Sequence, residues 1–321
     1  MRMTLEEKIK DAEAVLKLAA DMSKHYYDKP LIITYSGGKD SDVMLDIAKK
    51  CLSVGDFEVV NSHTTVDAPE TVYHIRDVFK HYEQLGVHTE IIYPTYKGEP
   101  TTMWKLIEHK GIPPTRIIRY CCQVLKETST PNRMVALGVR EDESSARQGR
   151  DAFASRGNSK TGNEWRSLDH TFAMFQLDKM DKADSYECEI IKNCKKNKDT
   201  LVQPIYKFTD SDIWEYIRRE GVKTNPLYER GYKRVGCIGC PMGGANHQRR
   251  EFKDFPKYRQ AYVRAFDKML VKRQEDGKPF MHGDTAFRDG EDVMKWWLGE
   301  NPKQVTFDEV LQESEVNSNE D

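Results

Sequence analysis

Leu31-Ile32-Ile33-Thr34-Tyr35-Ser36-Gly37-Gly38-Lys39-Asp40-Ser41-Asp42-Val43-Met44-Leu45-Asp46-Ile47-Ala48 is the stretch whose reading decides the fold. It opens as an apolar run, as a buried parallel strand would, and closes with Val43, Met44, Ile47 and Ala48 at helical spacing. Ser36 to Ser41 therefore joins a strand to a helix. Glycines there let the backbone come close to phosphate oxygens, and the helix start offers unpaired N–H groups at the positive end of its dipole. Ser36 and Ser41 add hydroxyl donors, and Lys39 adds a mobile charge. A Walker loop needs four residues between its glycines, so this is a different phosphate loop. In an ordinary turn Gly-Gly-Lys would mean nothing; the strand–helix context gives it chemistry.

The same alternation extends outward. Thr4 with Glu7 forms a capping box ahead of Ile9, Ala12, Val15, Leu16, Ala19 and Met22 at helical spacing. Residues 57–62 read as a second strand, 69–85 as a helix, 87–93 as a third strand and 133–138 as a fourth. Such an order predicts an α/β fold, a Rossmann-like parallel sheet with helices on both faces. A smaller, mostly helical C-terminal region carries cysteines. The expected division is a nucleotide-binding domain over 1–205, a helical region over 206–302 and an acidic, disordered tail over 303–321. Periodicity fades over 144–200, which reads as a loop-rich insertion. Thr209 caps a helix over Ile213-Trp214-Glu215-Tyr216-Ile217, another runs over 248–271 with an interruption near Pro256, and a short one spans 291–298.

Composition narrows the class. The chain has 321 residues with a net charge of −2, 38% hydrophobic and 32% charged residues, and no run long enough to span a membrane. Its first residues lack an apolar signal core, so a cytoplasmic location is expected. Over 249–273 basic residues outnumber acidic ones. That stretch reads either as solvated surface or as a face for a nucleic-acid acceptor, Arg249 to Arg273. Seven cysteines, an odd number, make a disulfide framework unlikely and point to metal or redox chemistry. Cys121-Cys122 is followed far downstream by Cys237-Ile-Gly-Cys240-Pro241, open to a redox pair, a zinc site or half of an iron–sulfur site. Cys51 lies on the apolar face of a helix and reads as core, while Cys188 reads as a bystander.

Taken together, these motifs resemble the phosphoadenosine-phosphosulfate (PAPS) reductase family of the PP-loop superfamily. Ser36-Gly37-Gly38-Lys39-Asp40-Ser41 is similar to the PP-loop signature, and Thr65-Val66-Asp67-Ala68-Pro69-Glu70-Thr71 to a stretch following the second strand. Gly138-Val139-Arg140-Glu141-Asp142-Glu143-Ser144-Ser145-Ala146-Arg147 resembles the family's element at the end of a sheet strand. Pro114-Thr115-Arg116, Arg119, Pro204-Ile205, Asp212-Ile213-Trp214, Asn225-Pro226-Leu227-Tyr228 and Gly231-Tyr232 fit it as well. The resemblance implies ATP bound with Mg²⁺ through Ser36, Gly37, Gly38, Lys39, Asp40, Ser41 and Asp67. It gives catalytic roles to Lys39, Asp40, Asp67, Arg140 and Arg147, the two arginines suiting phosphate or sulfate oxygens. The paired cysteine motifs resemble those of cluster-binding adenylylsulfate reductases and imply a [4Fe–4S] cluster, with zinc as the competing occupant. Cys122, Cys237 and Cys240 are its expected ligands, and either Cys121 or Cys194 the fourth. Relatives often form homodimers.

Two departures shape the function. No cysteine follows Cys240, where sulfonucleotide reductases carry a catalytic thiol, and the phosphate loop is intact where theirs is degraded. Both favour an enzyme that cleaves ATP to AMP and pyrophosphate, adenylates an acceptor and transfers sulfur, served by a sulfur or electron donor protein. The alternatives are a phosphoadenylyl- or adenylyl-sulfate reductase releasing sulfite, and a non-catalytic nucleotide-sensing module with a structural metal site.

Overall fold

Thr4 caps helix α1 (Leu5–Tyr27): its hydroxyl accepts the Glu7 N–H at 3.3 Å, and the Glu7 carboxylate takes the Thr4 N–H at 2.7 Å. The computed structural model that contains this helix describes residues 3–127, 130, 132–143, 152–156, 165–167, 199–282 and 285–300. The described residues fall into two compact units. One is drawn from Met1–Ser62, Pro69–Ile92 and Ser129–Val235, the other from His63–Ala68, Tyr93–Thr128 and Gly236–Asp321. No described helix is long and apolar enough to cross a membrane.

In the first unit α1 is followed by β1 (Leu31–Thr34), α2 (Lys39–Cys51), β2 (Phe57–Ser62), α3 (Pro69–Gln84) and β3 (Thr89–Ile92). The third strand is shorter than its apolar pattern predicts because the Val87 N–H bonds back to the Tyr82 carbonyl at 3.0 Å, closing α3 rather than joining the sheet. The second unit then takes the chain through β4 (Thr95–Tyr96), β5 (Glu99–Pro100), α4 (Met103–Lys110) and α5 (Tyr120–Cys122), which runs into a π-turn at Gln123–Glu127. Back in the first unit come β6 (Arg133–Ala136), β7 (Phe153–Arg156), β8 (Trp165–Ser167), β9 (Asp199–Val202) and α6 (Asp210–Glu220).

These strands make a seven-stranded sheet in the order β3-β2-β1-β6-β9-β7-β8. The first five are parallel, and β7 and β8 add antiparallel at one edge. The protein is thus an α/β, Rossmann-like fold with β1 at the centre and loops gathered at the strands' carboxyl ends, where such sheets bind ligands. Alternate residues divide the core. Leu31, Ile33, Val59, Met134, Ala136 and Val202 pack with apolar side chains of α1, α2, α3 and α6, while Ile32, Val60, Val135 and Leu201 bury the opposite sheet face. Burying one such side chain stabilises the fold by roughly 1.5–3 kcal/mol. Part of the insertion expected over 144–200 supplies the edge strands β7 and β8; the rest lies outside the described residues, as does the 303–321 tail.

Packing, rather than chain order, separates the units, so the division does not fall at residue 205. Residues 206–235 stay with the sheet because Ile213, Tyr216 and Ile217 of α6 join its core. The second unit gathers α4 with α7 (Ala245–Asp254), α8 (Pro256–Glu275), β10 (Met281–His282), β11 (Thr285–Ala286) and α9 (Gly290–Trp297). Pro256 splits what reads as one helix: it starts α8 at the first helical position, where its missing N–H costs nothing. Tyr262 is the hub of this helical region, edge-on to Trp104 at 4.8 Å and tilted against Trp297 at 4.9 Å between ring centres.

Candidate functional site

The phosphate loop is held from several sides before any ligand arrives. Ser41 Oγ donates to the Gly38 carbonyl at 2.7 Å and accepts the N–H groups of Gly38 and Ser36 at 3.2 and 3.3 Å. Asn225, with 0% exposure, donates to the Gly37 carbonyl and to Thr71 Oγ1, both at 3.0 Å, and accepts the Leu227 N–H at 3.0 Å. Tyr228 receives the Lys39 N–H on its hydroxyl at 2.9 Å. Gly37 has to be glycine: its φ is +71°, and an added Cβ would stand 2.9 Å from Ile75 Cγ1. Beneath the loop, Tyr35 donates to Asp42 Oδ1 at 2.5 Å, and His74 Nε2 lies 3.1 Å from the same oxygen. All three side chains are buried. Burial, helped by the Asp42 charge, lifts the Tyr35 hydroxyl well above the usual phenol range, and burial also raises the Asp42 carboxyl.

Two buried cations stand at this loop. Lys39 is 5% exposed and Arg140 is 4% exposed. Arg140 Nε donates to Asp40 Oδ1 at 2.6 Å and Nη2 to Asp210 Oδ1 at 3.2 Å, while Lys39 Nζ meets the same Asp210 oxygen at 3.0 Å. Arg140 Nη1 has no hydrogen-bond acceptor among the described residues; its carboxylate neighbour Asp142 is 3.6 Å away. Such a pair of positive side chains, beside the start of a 13-residue helix, is built to meet phosphate oxygens.

A second constellation lies within the other unit. Cys121 and Cys122 end α5, and Arg119 Nη2 donates to Cys122 Sγ at 3.4 Å. The hydrogen bond with Cys121 lowers the Cys122 thiol to about 5, with Arg119 and Lys126 adding to the effect against the opposing influence of burial; Cys121 is pushed the other way. Burial raises Cys237 to about 11 although Lys126 pulls it down. The Cys237 charge in turn holds Lys126 above the ordinary lysine range, with Asp67, Cys122 and Cys240 contributing. Asp67 belongs here too: its backbone bridges that of Cys237, and Tyr258 donates to its carbonyl at 2.7 Å.

The Cys237–Cys240 hairpin is gripped by side chains that the motifs did not single out. Glu251, 3% exposed, accepts the Gly239 N–H at 2.8 Å; Gln248 donates to the Gly239 carbonyl at 2.9 Å; Tyr262 donates to the Ile238 carbonyl at 2.9 Å. Gly239 has φ +75°, and a Cβ there would sit 2.6 Å from the Phe252 ring. The sequence signal for these residues was only a polar residue or tyrosine on the buried side of a helix. Thiols with neighbouring cations are the donor chemistry of a [4Fe–4S] cluster, which four thiolates hold. Among the described residues, no three His, Cys, Asp or Glu side chains converge on a single-ion site.

Of the residues expected from the sequence, Ser36, Gly37, Gly38, Lys39, Asp40, Ser41 and Arg140 come together in the first unit, joined by Asp210. Cys121, Cys122, Cys237 and Cys240 share the second unit with Asp67. Arg147 and Cys194 lie outside the described residues, as does Cys188. Cys51 packs against the sheet core, and burial raises its thiol to about 11, in keeping with a core residue. In the basic stretch, Arg249 is bonded to the Leu298 carbonyl at 2.7 Å, Arg259 to Glu291 at 2.6 and 2.7 Å, and Arg273 to the Gly111 carbonyl at 2.9 Å. Lys257, Arg264 and Lys268 of α8 are exposed.

An α/β sheet of this order, with a strand–Ser-Gly-Gly-Lys-Asp-Ser–helix loop at its centre, defines a PP-loop-type fold. The phosphoadenosine phosphosulfate reductase domain profile matches residues 30–242, and the chain belongs to that family. An uncharacterized protein of Methanocaldococcus jannaschii is 28% identical over 236 residues, covering 70% of this chain and 39% of that protein. This chain therefore spans well under half of that relative's length. The adenosine 5'-phosphosulfate reductase of Anoxybacillus flavithermus is 25% identical over 240 residues, 72% of this chain and 79% of the enzyme. Among solved structures, a PAPS reductase from Candida auris aligns with 14% identity and a TM-score of 0.41, over 74% of this chain and 97% of its own. The U34-tRNA thiolase NcsA from Methanococcus maripaludis, solved with its [4Fe-4S] cluster, aligns with 13% identity and a TM-score of 0.35, over 89% and 84%.

Proposed function

We propose that this protein binds ATP with Mg²⁺ at the phosphate loop, cleaves it to AMP and pyrophosphate while adenylating an acceptor, and serves sulfur transfer to that acceptor. The observation that carries this reading is the intact loop beside two buried cations, Lys39 and Arg140. A triphosphate has charge enough to occupy both. In this reading Ser36, Ser41 and the N–H groups at the start of α2 orient the phosphates. Lys39 and Arg140 take up negative charge that grows on the leaving pyrophosphate, the largest electrostatic demand of the step. Asp40 helps to place the Mg²⁺ that arrives with the nucleotide, and Arg147 contacts the acceptor or pyrophosphate. Asn225 and Tyr228 fix the loop's backbone, Asn225 by donating to the Gly37 carbonyl and Tyr228 by accepting the Lys39 N–H.

A [4Fe–4S] cluster held by Cys122, Cys237, Cys240 and either Cys121 or Cys194 would supply a place where sulfur is held and delivered. The chain's own contribution there is to fix the Cys237–Cys240 hairpin through Gln248, Glu251 and Tyr262 and to offset thiolate charge with Arg119 and Lys126. A nucleic-acid acceptor would meet Lys257, Arg264 and Lys268, the exposed cations of α8, with the protein working in the cytoplasm alongside a sulfur or electron donor protein.

The test is anaerobically purified protein incubated with ATP and Mg²⁺, with and without a mixed tRNA pool, followed by nucleotide chromatography. AMP and pyrophosphate in equal amounts are the expected products; ADP and phosphate, or intact ATP under every condition, would rule the reading out. A second reading has its own support, since the Anoxybacillus relative is named a reductase: adenosine 5'-phosphosulfate with thioredoxin would then yield sulfite. Iron, zinc and acid-labile sulfide content decides the occupant of the cysteine site.

A further inference from the structure

The side chain of Asp210 presents a carboxylate to both buried cations of the phosphate loop. Its Oδ1 lies 3.0 Å from Lys39 Nζ and 3.2 Å from Arg140 Nη2, so one oxygen holds both buried cations. Among the described residues in contact, Lys39 and Arg140 give two positive charges, and Asp40, Asp142 and Asp210 give three negative ones, a net of −1. Among the described residues, Arg140 Nη1 nevertheless has no hydrogen-bond acceptor, although the residue is only 4% exposed. A buried guanidinium donor without a hydrogen bond is costly, so Nη1 can take an acceptor oxygen beyond those the described residues supply. The three carboxylates are not equivalent. The Asp40 side chain is 18% exposed, whereas those of Asp142 and Asp210 are 52% and 57% exposed, and Asp210 meets both cations from the first turn of α6.

We propose that Asp210 is a specificity-determining residue that reserves this seat for phosphate chains carrying a divalent cation. The inference rests on the reading of the loop as a triphosphate site. A metal-free triphosphate has to displace Asp210 and then remain beside an unpaired carboxylate in a net-negative site, which like-charge repulsion disfavours. A magnesium-bound triphosphate carries less charge, and its cation gives the displaced carboxylate a partner. Asp210 therefore weakens binding of free anions far more than binding of the metal complex, and the Lys39–Arg140 pair stays closed to stray phosphate.

Calorimetric titration of the full chain with ATP and with inorganic tripolyphosphate, each in EDTA and in excess Mg²⁺, tests this. Asp210→Asn should bind both probes about tenfold more tightly in EDTA, about 1.4 kcal/mol, and should change little in Mg²⁺. Asp210→Glu, which restores the charge, should restore the metal dependence of the natural protein; melting curves confirm that both variants fold. Unchanged or weaker EDTA binding by Asp210→Asn overturns the inference while leaving the nucleotide site standing. If ATP binds no better than tripolyphosphate in any condition, the adenine-nucleotide reading fails while the charge effect is still measured. Binding of neither probe by the natural protein overturns both.

Discussion

Replacing Glu251 by alanine should loosen the cysteine hairpin. In the folded protein the Glu251 carboxylate accepts the Gly239 N–H at 2.8 Å and faces His247 Nε2 at 3.1 Å, and the side chain is almost wholly buried. Hydrogen bonds to charged groups contribute roughly 1.5–3 kcal/mol, and a buried N–H left unsatisfied costs about 1–3 kcal/mol. Those figures describe one bond from two sides and are not summed, so a loss of about 2–3 kcal/mol is expected. Glu251→Gln keeps an acceptor oxygen for Gly239 and should cost less than half as much. Because Trp104, Trp296 and Trp297 belong to this unit, fluorescence-monitored denaturation reports on it, with midpoints compared rather than one global free energy. The same preparations, made without oxygen, give the iron content. The alanine variant should unfold earlier and retain little iron, and the glutamine variant should keep most of both. An alanine variant with an unshifted midpoint and normal metal content would refute the assignment of Glu251 as the support of Cys237 and Cys240.

Lys39→Ala removes a charge-assisted phosphate contact and should weaken ATP binding roughly ten- to a hundredfold, from about 1.5–3 kcal/mol, in calorimetric titration; unchanged affinity would move the nucleotide elsewhere. Burial raises the Asp42 carboxyl above its unfolded value of 3.8, so the folded state binds that proton more tightly. The resulting stability is present below pH 3.8 and is lost as pH rises through the folded value; Asp42→Asn should remove this part of the pH dependence in melting curves from acid to neutral pH. In metal-free protein, iodoacetamide at neutral pH should modify Cys122, lowered to about 5, well before Cys51 or Cys237, both raised to about 11. Peptide mass spectrometry over time gives the order, and faster labelling of Cys51 would contradict its place in the core.

Local patterns carried much of the fold because the elements of the sheet unit satisfy themselves locally. The capping boxes at Thr4 and Thr209 mark helix starts with the side chains that bond them, and β2 spans the residues its alternation predicts. The phosphate loop was legible for the same reason: Ser41 bonds the backbone of Ser36 and Gly38, both within five residues of it. What the sequence hid is whatever depends on distant pairings. Asp210 reads as an acidic residue in the first turn of a helix, a routine dipole partner, yet its carboxylate reaches residues 70 and 171 positions away. Asp67 follows the second strand, and nothing in its local sequence signals that its backbone pairs with Cys237 and accepts the Tyr258 hydroxyl.

The cysteine site shows the same limit from the other side. The ligand types are plain in the sequence, but a Cys-x-x-Cys hairpin leaves its intervening peptide groups to be satisfied by something else, and buried backbone groups go unpaired only rarely. Here Gln248, Glu251 and Tyr262 do this, all beyond residue 242, where the family profile ends. The helices that follow the matched residues 30–242 therefore hold the cysteine hairpin rather than merely extending the chain. It follows that the cysteine hairpin and the α7–α8 pair should unfold as one cooperative element. Hydrogen exchange should find the Gly239 amide as protected as the amides of α8, and rapid exchange at Gly239 beside a protected α8 would show that the helices do not support the hairpin.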